Sequence, residues 1–203
     1  MDETLSLTYR LGILALTLVG WLTIFFVVNR RQVDINRRID MGTDLDKRFP
    51  FIPQFAIIYF STYFFVVQPF FVLSDPQLFY WMLASFATIS LGSSLIHAIL
   101  PSKIERVENL STNNLSGKML HLFQKTSRPY GNFPSMHVGL SVPVVAVNYM
   151  SGNAAMGFIT LIWGVLIAVS TLYTKQHYLL DVLAGLLSGA IVLLIAYFLI
   201  MVP

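Results

Sequence analysis

The sequence predicts an all-α integral membrane protein, a bundle of six transmembrane helices, and three observations carry that expectation. Charged residues make up 11% of the 203 residues and hydrophobic ones 56%, whereas soluble domains carry about 25% charged residues. The apolar residues come in continuous runs close to the roughly 20 residues that one helical crossing needs. The runs lack the two-residue alternation of a barrel strand, so their backbone groups must pair within each segment, as helices.

The first run is Leu11 to Val28. Met1-Asp2-Glu3-Thr4 before it is acidic and lacks the basic stretch and small-residue cleavage site of a signal peptide, so the run is expected to stay as a span. Residues 29–52 form a polar loop, with Arg30, Arg31, Arg37, Arg38, Lys47 and Arg48 set against Asp34, Asp40, Asp44 and Asp46. Pro53 suits a first helical turn and opens the second span, about 53–73. Ser74-Asp75-Pro76 breaks the chain before the third span, Gln77 to Leu100, which stops at Pro101. Residues 101–136 are the longest polar connection. Asn109 to Gly117 reads as loop and Leu115 to Gln124 as a short amphipathic helix at the membrane interface. The fourth span, Val138 to Met150, is short and is expected to borrow from Pro134–His137. Ser151-Gly152-Asn153 is a turn, followed by the fifth span at 155–173 and the sixth at 178–201. A single membrane domain over 1–203 is the natural count at this length.

Composition excludes several functions. With no cysteine, neither a disulfide, nor a thiolate nucleophile, nor a cysteine metal site is possible. The net charge of +3 sits in short loops between spans, which suits anionic lipid rather than nucleic acid.

Two segments hold polar residues that a plain bundle does not require. Phe133-Pro134-Ser135-Met136-His137 opens span four, and Thr174-Lys175-Gln176-His177-Tyr178-Leu179-Leu180-Asp181 opens span six. His177 and Asp181, four residues apart, share one helix face. There a carboxylate can fix the imidazole tautomer and raise its basicity. Asp181 at the mouth of an apolar run is costly unless paired or functional. A structural pairing with Lys175 or His177 remains open, as does a proton relay in a non-catalytic transporter or scaffold. Only Pro143 would break a span midway, as such transporters do. His97 and His121 read as interfacial residues. Two histidines and an aspartate could hold zinc, but no third neutral ligand is evident and the surroundings are basic, so no metal and no cofactor is expected.

Pro134, Ser135 and His137, then about 40 residues with one span between, then His177 and Asp181 resemble the second and third motifs of the type 2 phosphatidic acid phosphatase family, which includes the vanadium haloperoxidases. The resemblance covers about 53–201. The family's third-motif arginine would fall at Thr171. The run Ser170-Thr171-Leu172-Tyr173 with His177-Tyr178 and Asp181 looks more like the inositol phosphorylceramide and sphingomyelin synthase branch, whose members transfer a phospho-head group between lipids. Lys175 is the candidate replacement charge. The first family motif has no clean match: Lys103 and Arg106 occupy the right place, and Arg128 precedes a proline. The resemblance implies a membrane lipid-phosphate phosphatase, or alternatively a head-group transferase. Lys103, Arg106, Arg128 and Lys175, with Ser135, would bind phosphate. His177, oriented by Asp181, would attack phosphorus, and His137 would handle the proton. The implied partners are the bilayer and a lipid phosphate.

Six spans place loops 29–52, 101–136 and 174–177 on one face, with all the basic residues except Arg10. The positive-inside rule makes that face cytoplasmic, whereas the resemblance implies an outward or lumenal site.

Overall fold

The computed structural model describes residues 4–30, 35–108, 110–200 and 202. Helix α1 spans Leu7–Arg30. The second apolar run is a 3-10 turn at Pro53–Phe55, then α2 (Ala56–Phe60) and α3 (Thr62–Val72), with the junction at Ser61. Helix α4 spans Pro76–Ile99, α5 Leu115–Thr126, α6 Met136–Met150, α7 Ala154–Tyr173 and α8 Leu179–Ile200. Local chemistry sets several starts. Asp75 Oδ1 accepts the Leu78 N–H at 2.7 Å with Pro76 in the first turn. Asn114 and Asn153 cap α5 and α7 in the same manner.

Among the described residues, five helical segments are long and apolar enough to cross a membrane. The expected fourth span, α6, has 15 residues, about 22 Å at 1.5 Å per residue against a hydrocarbon thickness of about 30 Å. Its place in the bundle explains the shortness. α6 is the central helix, packed on α3, α4, α7 and α8, so its middle and first turns meet protein rather than lipid, while Tyr149 and Met150 at its far end are exposed. Pro143 lies inside it without breaking it. The core around it holds Phe65, Phe70, Phe79, Met82, Phe86, Val144, Val147 and Ile167. The outer faces of α7 and α8 expose Phe158, Ile162, Leu187, Leu194 and Leu199, the pattern of an all-α membrane bundle.

α6 and α8 approach closely because glycines line the seam. A Cβ on Gly189 would come within 2.6 Å of the Gly139 carbonyl oxygen, and one on Gly185 would run into the Ser135 carbonyl. At the opposite end of the bundle from these helix starts, the buried Arg10 donates to Phe70 O at 3.3 Å and Phe71 O at 2.9 Å. The cation thus ties α1 to the last carbonyls of α3. Leu5 N–H bonds Ser74 O at 2.8 Å, and Gln77 Nε2 donates to Ile200 O at 3.2 Å. Both described chain ends therefore lie beside the 74–77 turn.

The polar loops interlock at the other end. Ile39–Asp40 (β1) and Ser102–Lys103 (β2) form a two-residue parallel pair, a small departure from the all-helical expectation. Ile52 N–H bonds Tyr173 O at 2.9 Å. Asp46, buried, accepts from Thr43 N and Oγ1 at 2.8 and 2.7 Å and from Leu179 N at 2.7 Å. That last bond caps α8 from another loop.

Candidate active site

The interlocked loops surround the starts of α6 and α8, where the structure brings His137, His177 and Asp181 together. α8 begins two residues after His177, and the turn before it is held by Thr171, whose carbonyl accepts both Gln176 N–H (2.9 Å) and His177 N–H (3.2 Å). His177 Nδ1 lies 3.3 Å from Asp181 Oδ2, which also accepts the Tyr178 N–H at 2.9 Å. A carboxylate oxygen only accepts, so Nδ1 is the donor in this contact, which in a neutral ring leaves Nε2 as the acceptor. Nε2 faces His137 Nδ1 at 3.3 Å, with the ring centroids 5.4 Å apart. Tyr59 also packs against the His137 ring, centroids 4.9 Å apart. His177 and Asp181 are buried, at 6% and 1% exposure, which shields the pair from competing water.

Both histidines line a cavity of about 750 Å³. Its polar end also carries Arg37, Arg106, Arg128, Asn132 and Gln176. Its other limb runs down apolar side chains of α1, α3 and α6: Leu18, Trp21, Leu22, Val66, Val67 and Leu140. Trp21 Nε1 donates to Ser90 Oγ at 2.8 Å and fixes that wall.

The expected phosphate cations divide between two tasks. Arg106 reaches the cavity, but its guanidinium donates to Gln124 O (2.7 Å), Ser127 O (2.9 Å), Ser127 Oγ (2.8 Å) and Arg128 O (2.9 Å). It braces the turn that presents Arg128, and burial pulls its pKa down from the ordinary value. Arg128 is exposed at the cavity. Lys103 is not in the cavity wall. It pairs with Asp40 at 3.0 Å, which raises the ammonium pKa. The Gly42 N–H and Lys103 together hold the Asp40 carboxyl below its usual range. Lys175, at a left-handed φ of 54°, donates to Asp46 O at 2.9 Å and braces the 174–177 turn. Ser135 is fully buried with its Oγ unpartnered among the described residues, and its N–H bonds Asp181 O at 2.9 Å. His121 lies on α5 outside the cavity wall. Among the described residues, no cluster of three His, Asp or Glu side chains is arranged to hold a metal ion.

Sequence reasoning passed over Arg37, Asp46 and Tyr59, and it placed His97 at the interface. Arg37 and Asp46 sit in a loop crowded with charges of both signs, where nothing marks which ones turn inward. Tyr59 looks like any interfacial aromatic.

The fold and the site define a helical membrane bundle with a carboxylate-backed histidine facing a second histidine. The PAP2 superfamily sequence profile matches residues 46–199, and the chain belongs to that superfamily. It is 32% identical over 102 residues to a PA-phosphatase related-family protein of Dictyostelium discoideum, a match covering 45% of this chain and 18% of that protein. The chain thus spans about a fifth of that relative's length. The crystal structure of Aquifex aeolicus LpxE superimposes with a TM-score of 0.49 at 17% identity, over 86% of this chain and 93% of that one.

Proposed function

We propose that the protein is a multi-pass membrane enzyme of six crossings, a single domain with its catalytic core at about 53–201, that hydrolyses a lipid phosphate through a phosphohistidine. The observation that carries this reading is the cavity. Two histidines and cations stand at one end and a hydrocarbon wall at the other, which fits an amphiphile with a phosphate head. Superfamily membership supports a phosphatase-type enzyme.

His177 Nε2 attacks phosphorus, forming the N–P bond as the P–O bond to the lipid breaks. Asp181 holds Nδ1–H and stabilises the ring as it becomes cationic. His137 delivers a proton to the leaving alkoxide. It then takes a proton from water as the water oxygen bonds phosphorus and the N–P bond breaks. The products are the lipid alcohol and inorganic phosphate. The 3.3 Å hydrogen bond between the two rings must open for phosphorus to reach Nε2. Arg37 and Arg128 would neutralise the non-bridging oxygens, Ser135 and the first N–H groups of α6 would donate to them, and Arg106 would act through its charge while bracing the 124–128 turn. Lys103 and Lys175 would act indirectly, by holding the loops. No step draws on a metal ion.

One observation favours transfer to a second lipid over hydrolysis. Thr171, where the phosphatase motif would place arginine, is fully buried, with its hydroxyl on Ala168 O at 2.7 Å, so that position offers no cation to the phosphate, in keeping with the resemblance to the synthase branch. The test is purified protein with phosphatidic acid, phosphatidylglycerophosphate, a ceramide phosphate and a polyprenyl diphosphate, with and without a lipid bearing a free hydroxyl. Hydrolysis releases inorganic phosphate from at least one of them, and His177→Ala abolishes it. Label appearing in the second lipid instead selects transfer. Phosphate release that persists in His177→Ala would overturn both.

A further inference from the structure

We propose that His97 is a positioning residue for this reaction: its ring N–H holds the Pro134 carbonyl and so sets where α6 begins and where His137 stands relative to His177. The inference rests on the phosphohistidine reading above. His97 lies in the last turn of α4, half-buried and in the cavity wall. Its Nε2 is 3.0 Å from Pro134 O. A carbonyl oxygen can only accept, so Nε2 carries the hydrogen. A histidine serving merely as an interfacial residue would turn its nitrogens to water and head groups. This one spends a donor on the peptide three residues before His137.

The neighbouring contacts show that the segment is built to be held. Asn132 and Phe133 N–H both donate to Ser102 Oγ at 2.9 Å, and Gly131 N–H donates to Ser102 O at 2.7 Å. From the α8 side, Ser135 N–H bonds Asp181 O at 2.9 Å, and Gly185 lets the segment lie flat on α8. Gly131 has a φ of +77° and would place a Cβ 3.5 Å from His97 Cβ, so the chain folds closely over the ring. Between Asp181 and His97 the segment is clamped to two spanning helices. Without the His97 tie, the Ser102 bonds still hold the chain as far as Phe133, but the Pro134 peptide loses its anchor to α4 and can shift while Ser135 stays on α8. That tilts the first turn of α6, and His137 with it.

The experiment is steady-state kinetics on whole purified protein carrying His97→Phe or His97→Gln, beside thermal unfolding. Phe keeps a ring and loses the donor; Gln restores an N–H. A displacement of about 1 Å at a reacting group can cost roughly a hundredfold. His97→Phe is expected to lower kcat about tenfold to a hundredfold, with KM within about twofold. Gln is expected to recover most of that loss. Unchanged kcat in His97→Phe overturns the proposal. So does a rise in KM at constant kcat, which marks a lining role, or equal loss in both variants with falling Tm, which marks packing. Histidine-selective 15N labelling reads the same geometry without turnover and covers the case where the Phe variant fails to fold. His97 Nε2 should appear protonated in the unsubstituted protein, and the His137 ring resonances should shift in the Gln or Phe variant. His137 resonances that stay put overturn the positioning role. If the unsubstituted protein releases no phosphate from any lipid, hydrolysis fails, and the resonances still decide the role of His97.

Discussion

His177 is held through both ring nitrogens, with Asp181 at Nδ1 and His137 at Nε2, and only one of these contacts orients a nucleophile. Asp181→Asn can turn its amide nitrogen toward Nδ1 and select the wrong tautomer. We expect kcat to fall on the order of 10³- to 10⁴-fold, as in triads where the same exchange is made, with thermal unfolding little changed. His177→Ala should leave no acid-labile phosphate on protein quenched during turnover. His137→Ala should still trap phosphohistidine from an aryl phosphate, whose leaving group needs no proton. Phosphate mapped to His137 by mass spectrometry would reverse the assignment. Asp46 is a different kind of residue: three hydrogen bonds from Thr43 and Leu179 converge on its carboxylate. Losing a helix cap of this kind costs about 0.5–2 kcal/mol, so Asp46→Ala should lower the unfolding midpoint. It should also lower activity, since α8 carries Asp181.

Among the helices, the seam between α6 and α8 aligns the two histidines, and glycine makes it possible. Gly185→Ala forces a methyl against the Ser135 carbonyl. Overpacking of this kind costs about 1–3 kcal/mol, and the displaced segment leads into His137, so activity should fall further than stability. Gly92→Ala is the matched control. It is exposed on α4 with nothing within 4 Å of its Cβ position, and should be neutral or stabilise by up to about 1 kcal/mol. Equal behaviour of the two variants in thermal unfolding and turnover would show that the seam does not set the site. Helix α1 lies outside the matched superfamily region, yet it supplies Leu18, Trp21 and Leu22 to the cavity.

For the whole molecule, six crossings require loop 104–114 and the turn at 151–153 to face opposite sides of the membrane. The chain has no cysteine, so single cysteines report cleanly. Ser111→Cys and Ala154→Cys, both at exposed positions, should label from opposite sides with an impermeant maleimide in intact cells. Labelling from the same side would remove one crossing. The identity of the labelled side settles the conflict between the positive-inside expectation and the outward site. Several of the cations in that count brace loops: Lys103 on Asp40, Arg106 on the 124–128 turn, Lys175 on Asp46. Their placement reflects architecture as well as topology. Because the proposed steps use fixed cations, chelator should leave turnover intact and vanadate should inhibit it. Activity lost to chelator and restored by zinc or magnesium would rule out the mechanism.

The apolar runs and their breakers were readable because each depends on neighbours along the chain. Continuous hydrocarbon forces helices, Asp75-Pro76 starts one, and His177 with Asp181 shares a face through helical geometry alone. The same locality led to the Pro134–Ser135–His137 and His177–Asp181 motifs and to the superfamily. What only the tertiary structure decided depends on residues far apart in sequence. That Arg106 braces a turn, that Lys175 reaches Asp46, that His97 holds Pro134 and that Asp46 caps α8 are contacts across 18 or more positions. A cation beside a phosphate and a cation on a carbonyl look alike in a string of letters. They differ only in which acceptor the fold brings within 3 Å, and that is set by how the interlocked loops close over the central helix α6.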